Sequence, residues 1–187
     1  MRLAVLASGS GTILDAMAHS GLPISLVLVD RTCGAEKVAA DHGLTCVMAE
    51  RTSFGPDFDR VDYTRQVTER LAAEGIELVA MAGFGTVLGQ PIQDGYGGRI
   101  LNTHPSLLPA FPGWHAVQDA LDYGVKVTGC TVHVATLEVD AGPILAQQAV
   151  AVEPDDTVDT LHERIKVVER DLYIRTVREI IDRGYVL

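Results

Sequence analysis

This sequence lacks most of the features that settle a fold at once. Its 187 residues hold three cysteines, Cys33, Cys46 and Cys130, widely spaced and without a CxxC pair. An odd set of that kind argues against a disulfide framework and against a cysteine-based zinc site, and fits reduced thiols in the cytoplasm. No apolar run approaches the roughly 18–20 residues of a membrane helix, so no membrane partner is expected. Positive charge is scarce: Lys and Arg number 15 against 25 Asp and Glu, a formal net charge of −10. A nucleic-acid surface needs clustered Lys and Arg to neutralise phosphates, so nucleic acid is not an expected partner either. A small phosphorylated ligand remains open, because backbone amides hold phosphate without a basic domain. Met1–Leu6 runs straight into a strand pattern and a glycine loop, so no signal peptide is expected.

What is present is an ordinary globular composition, 47% apolar and 21% charged, in a chain long enough for one substantial core. Arg2–Ala7, Ile24–Asp30 and Glu77–Ala82 are rich in Val, Leu, Ile, Ala and Met and read as buried strands. Thr12–His19, Ala35–His42 and Phe58–Glu74 lie between them and read as helices, the last with Val61, Arg65, Thr68, Leu71 and Ala72 on one face. Such alternation predicts an α/β fold: a single domain with a doubly wound, mostly parallel sheet. Lys126–Thr136 and Ile144–Val152 flank the Gly142-Pro143 break and predict an antiparallel addition to that sheet. A long C-terminal helix is expected from a cap near Asp156-Thr157, with Val158, Leu161, Ile165, Val168 and Leu172 facing inward.

Two places carry chemistry. Ser8-Gly9-Ser10-Gly11-Thr12 joins the first strand to the first helix. Glycines permit a sharp turn and close approach of a ligand, and the helix N-terminus offers unpaired N–H groups to an anion. It is neither a dinucleotide fingerprint, since the third glycine would fall at Leu14, nor a Walker loop. The second place is Leu101-Asn102-Thr103-His104-Pro105-Ser106-Leu107-Leu108-Pro109, with Asp140 in a turn beyond it. Its prolines place Asn102 and His104 on a stiff loop after the strand end Arg99-Ile100-Leu101. Asn102 could be a turn residue, His104 a satisfied loop histidine and Asp140 a turn-former. Together they suit acyl transfer to an amine: a cationic imidazole and a carboxamide stabilise the developing oxyanion, and a carboxylate–imidazole pair accepts the amine's proton. A nearby carboxylate favours the cationic form of an imidazole. Cys130 reads as a packed thiol in an apolar strand, not a nucleophile. His133, on the side of Thr131, reads as a core or supporting histidine. His115 lines a pocket or lies on the surface, His19 and His42 are expected to face water, and His162 shows no obvious partner.

From Val5-Leu6-Ala7-Ser8-Gly9-Ser10-Gly11-Thr12, Met81-Ala82-Gly83-Phe84, Leu101–Gly113, Gly129-Cys130-Thr131-Val132-His133 and Val139-Asp140-Ala141-Gly142-Pro143-Ile144, the chain resembles the phosphoribosylglycinamide formyltransferase family of folate-dependent enzymes over residues 2 to about 180. The proline-bounded motif is highly specific; the glycine loop by itself is not. The resemblance implies a Rossmann-like fold of formyltransferase type, with 10-formyltetrahydrofolate as co-substrate and glycinamide ribonucleotide as acceptor, in purine (IMP) biosynthesis. It implies direct attack through a tetrahedral intermediate and no metal. Asn102, His104 and Asp140 then match the catalytic positions. Gly11, Thr12, Ile13 and Leu14 match the phosphate-holding segment, and Glu169 the glutamate that binds ribose hydroxyls. Gly85, Thr86, Val87 and Leu88 match a main-chain wall for the pterin, joined by Asn102 and Asp140, and Arg60 an arginine near the folate glutamate tail. Residues 1–100 would form the phosphate and ribonucleotide half, and 101–187 the catalytic and folate half.

Three departures stand out. Ile13 replaces a common Asn, Gly85-Thr86 replace a usual Met-Arg, and Thr131 replaces a common Ser while keeping the hydroxyl. A cytoplasmic monomer or homodimer is expected. Two relatives share the Asn-His-Asp set, the formyltetrahydrofolate deformylase and the methionyl-tRNA formyltransferase. The first carries an added N-terminal domain; the second carries an added C-terminal one and needs basic surface. A non-catalytic sensor of phosphorylated nucleosides is the reading from a different class, and retention of all three polar groups argues against it.

Overall fold

The apolar runs form the strands, with some ends trimmed by a residue or two. The computed structural model describes residues Met1–Leu187. In chain order the elements are β1 (Leu3–Ala7), α1 (Thr12–His19), β2 (Ile24–Val29), α2 (Gly34–Asp41), β3 (Cys46–Met48), α3 (Arg60–Ala73), β4 (Leu78–Met81), α4 (Gln90–Tyr96), β5 (Ile100–His104), α5 (Ala116–Tyr123), β6 (Val127–Val134), β7 (Ile144–Ala151) and α6 (Val158–Arg183). The strands follow the order β3-β2-β1-β4-β5-β6-β7 in one seven-stranded sheet. β1 pairs in parallel with both β2 and β4, β2 with β3 and β4 with β5, while β6 and β7 are antiparallel. The expected doubly wound, mostly parallel sheet with an antiparallel addition is therefore the observed one.

The chain divides into two compact units, Met1–Leu101 with Gly184–Leu187, and Asn102–Arg183. In the first, every residue of β1 is buried, as a central parallel strand covered on both faces must be. Its switch point lies between β1 and β4, where the chain turns to opposite sides of the starting strand, the usual place for a ligand crevice in such sheets. In the second unit α6 packs against β6 and β7. Leu161, Ile165 and Leu172 are buried as the periodicity predicts, with Val158 and Val168 half-buried. Thr157 caps the helix, its hydroxyl accepting from the Thr160 N–H at 3.2 Å.

Several expectations need correction. Asn102 and His104 belong to β5 and not to the loop after it. The prolines stiffen the chain only from Pro105 onward; the strand continues through three polar residues first. In α3 the buried face is Tyr63, Thr64, Val67 and Leu71, whereas Val61 and Arg65 are exposed. Tyr63 and Thr64 go inward because their hydroxyls are satisfied there, Tyr63 donating to Ala49 O and Thr64 to Arg60 O. The short β3, α4 and α5 were not foreseen: three residues, a seven-residue helix holding Pro91 and Gly95, and an eight-residue helix leave weak periodic signals.

Candidate active site

In the first unit, the glycine loop is pinned from two sides. Ser8 N–H donates to Gly83 O at 3.2 Å, and the Ser8 hydroxyl accepts from Gly85 N–H at 2.7 Å, tying the loop after β1 to the loop after β4. Ala35 N–H donates to Gly9 O at 3.1 Å, holding α2 against the same turn. Gly11 is the N-cap of α1 at φ 81°, and a Cβ there would meet Ala35 Cα at 2.9 Å, so both conformation and space demand glycine. The first helical bond runs from Asp15 N–H to Gly11 O at 2.8 Å, which leaves the N–H groups of Thr12, Ile13 and Leu14 ahead of it. Leu14's side chain is buried, so its contribution is the backbone alone.

Gly85–Leu88 follow β4. Thr86 is buried, and its hydroxyl donates to Asp30 Oδ2 at 2.7 Å and lies 3.4 Å from Arg51. That fixes the Thr86 side chain against Asp30 and Arg51. Burial pushes the Asp30 carboxyl up, but hydrogen bonds from Arg31, Thr86 and Ser8 outweigh it and hold the group below its usual range. Arg31 binds Asp30 through two nitrogens at 3.0 Å, and its guanidinium lies against Gly85. Arg60, exposed at the start of α3, passes its aliphatic stem along Gly89. These residues thus lie together within one unit.

In the second unit, the three predicted catalytic side chains converge. His104 Nδ1 lies 3.3 Å from Asp140 Oδ2, and its Nε2–H donates to Phe111 O at 2.8 Å. Asp140 Oδ2 also accepts from Gly113 N–H at 2.8 Å. Both imidazole nitrogens therefore face oxygen atoms. Asp140 Oδ1 lies 3.6 Å from His133 Nε2, and Asn102 Nδ2 lies 3.2 Å from that same nitrogen. The side chains of His104 and Asp140 are each 6% exposed and that of His133 2%, so water hardly screens them.

The imidazole at position 133 settles the orientation of the amide. Burial lowers the His133 pKa below its ordinary value, against opposing help from Val134 O and Asp140. Its Nδ1 lies 3.1 Å from Val134 O, which can only accept, so the neutral ring carries its proton there. Nε2 then offers a lone pair, and Asn102 donates one N–H to it, with its second N–H outside that bond.

Only two non-glycine residues have positive φ, Phe111 at 52° and Asp140 at 57°. Phe111 supplies the carbonyl that His104 grips, and Asp140 the carboxylate beside its other nitrogen. Such conformations are uncommon outside glycine and collect where a site fixes its groups. Below His104, Thr131 anchors the proline loop: its hydroxyl donates to Ser106 O at 2.7 Å and accepts from Leu108 N–H at 3.0 Å. Gln147 bridges the same hydroxyl and Leu108 O.

Glu169 on α6 is buried, and Thr103 donates to its Oε1 at 2.8 Å, one residue from both Asn102 and His104. Burial raises its pKa, with the Thr103 hydroxyl and His104 opposing. Cys130 is fully buried and its thiol is pushed up to about 12 by desolvation, which makes it a poor nucleophile. His115 is exposed at the N-cap of α5. The sequence did not single out Thr103 or Phe111. Thr103 had a signal in its place between two candidates, whereas a backbone carbonyl leaves none.

A family described as formyl transferase matches residues 1–177, which contain the glycine loop, the Asn-His-Asp set and Glu169. The chain belongs to the formyl transferase family. It is 46% identical over 188 residues to the phosphoribosylglycinamide formyltransferase of Mycobacterium tuberculosis, covering 98% of this chain and 86% of that protein. Among solved formyl transferases, the glycinamide ribonucleotide transformylase 1 of Symbiobacterium toebii shares 40% identity at a TM-score of 0.87, over 94% of this chain and 84% of that one. The phosphoribosylglycinamide formyltransferase of Bacillus halodurans shares 35% at 0.89, over 100% and 98%.

Proposed function

We propose that this formyl transferase moves the formyl group of 10-formyltetrahydrofolate to the primary amine of glycinamide ribonucleotide, a step of de novo purine biosynthesis. The observation that carries the reading is the buried His104–Asp140 pair with a carboxamide oriented beside it, in a chain close to relatives that bear this activity's name.

In the second unit the residues divide the work. His104 holds a proton at Nδ1, and Asn102 presents its free N–H, so both stabilise negative charge on the oxygen of the attacked carbonyl. As the amine nitrogen bonds to the formyl carbon, Asp140 takes the amine's proton, directly or through a water. His104 then gives its proton to the departing folate nitrogen as the carbon–nitrogen bond breaks, and Asp140 returns one to His104. No side chain becomes acylated. Glu169 accepts hydrogen bonds from ribose hydroxyls. In the first unit, the backbone N–H groups from Gly11 to Leu14 hold the ribonucleotide phosphate, without the side-chain contact that an Asn at position 13 would add. The main chain of Gly85–Leu88 forms a wall for the pterin, and Arg60 meets the glutamate tail of the folate. The first unit is thus the phosphate half and the second the catalytic half of one cytoplasmic enzyme, a monomer or homodimer.

The test is a single-turnover assay with both substrates on wild type and His104→Ala. Wild type should formylate the ribonucleotide amine, and the variant should bind both ligands yet lose turnover. Formylated protein after incubation with the folate donor alone would contradict direct transfer.

A further inference from the structure

Outside the residues assigned to catalysis, one group of side chains in the first unit has the chemistry of a metal site. Asp15 and His19 stand four residues apart on α1, one turn along the same face. His42, the C-cap of α2, points at them from the neighbouring helix. His42 Nε2 lies 2.7 Å and His19 Nδ1 3.2 Å from the same oxygen, Asp15 Oδ1. The two rings meet edge to face with centroids 4.6 Å apart. The three donor atoms all fall within 4.8 Å of one another. His42, expected to face water, is in fact only 21% exposed at its side chain, so the second imidazole is already held in place.

We propose that Asp15, His19 and His42 form a site for a divalent transition metal of the zinc type, clamping α1 to α2. Two imidazoles and a carboxylate are a donor set that zinc, cobalt, nickel and copper accept, with water completing the coordination. Metal–ligand bonds of about 2.0–2.2 Å ask the three donors to open slightly around the ion. His19 is 69% exposed at its side chain, so it has room to move, and an ion has a path in from solvent. The clamp lies at the far end of the helix whose first residue follows Gly11, and Gly11 itself packs on Ala35 of α2. An ion here therefore fixes the pair of helices that supports the glycine loop. It takes no part in formyl transfer.

Cobalt(II) titration of the intact chain tests this. Wild type should bind one cobalt with visible d–d bands and without the near-ultraviolet thiolate band that Cys33 or Cys46 would give, and its thermal midpoint should rise with zinc. His19→Gln and His42→Gln should each weaken cobalt binding at least about tenfold. Because His19 is exposed, His19→Gln should keep the wild-type circular dichroism, so its loss of binding cannot be a loss of fold. Uptake unchanged in both variants, a thiolate band, or no uptake by wild type would overturn the site.

Discussion

Asp140 illustrates how little latitude single residues have in this site. One of its oxygens serves both the Gly113 N–H and the His104 ring, and its backbone adopts a φ of 57° to deliver them. His133 has equal leverage at one remove, because its neutral Nε2 is what turns the Asn102 amide. This makes a pH prediction. Burial lowers the folded pKa of His133 below the ordinary 6.5, so the unfolded chain binds more protons in the interval between the two values. The stability this group contributes is complete above pH 6.5 and drains away as pH falls toward the folded pKa. Turnover should fall only as pH drops through the folded pKa itself, at the acid end of that interval, since a protonated Nε2 cannot accept from Asn102. Melting midpoints and kcat measured against pH should show an acid limb that flattens in His133→Asn. An unchanged limb would remove His133 from the account.

At the scale of elements, the loop after β5 and the turn after β1 depend on specific anchors. Thr131→Val strips the hydroxyl that holds Ser106 and the buried Leu108 N–H, and should cost about 1–3 kcal/mol. Thr131→Ser keeps those bonds and should cost no more than about 0.8 kcal/mol for the lost methyl; denaturant titrations will separate the two. Gly11→Ala should cost about 1–2 kcal/mol for its left-handed backbone, and more for the encounter with Ala35. Its KM for the ribonucleotide should rise while the KM for folate holds, which steady-state kinetics will show. Most of these elements could be read from sequence because buried parallel strands are long aliphatic runs. Two causes account for the departures: inward-turned polar residues with satisfied hydrogen bonds look like surface or loop, and β3, α4 and α5 are too short to show a period. Asn102, Thr103 and His104 thus passed for loop though they belong to β5, and Tyr63 and Thr64 were missed on the inner face of α3. The convergence of Asn102, His104 and Asp140 was legible as chemistry. The Phe111 carbonyl and the left-handed turn that aims it were not, because backbone groups carry no residue signature.

Over the whole molecule, charge separates the candidate acceptors. The protein carries a formal net charge of −10, and a tRNA acceptor would have to be held against that field. Transfer to glycinamide ribonucleotide should therefore show a shallow salt dependence, and initiator methionyl-tRNA should not be formylated at comparable enzyme concentration. A slope as steep as phosphate-backbone binding produces would argue for a polyanionic partner. The central claim concerns where the formyl group goes and what sends it there. The direct measurement follows labelled formyl from 10-formyltetrahydrofolate in the presence of glycinamide ribonucleotide, with wild type and Asp140→Asn side by side. The label should appear on the ribonucleotide amine with wild type, with transfer slowed by about 10²–10⁴ in Asp140→Asn. Label released as formate by wild type, or an undiminished rate in the variant, would contradict the account.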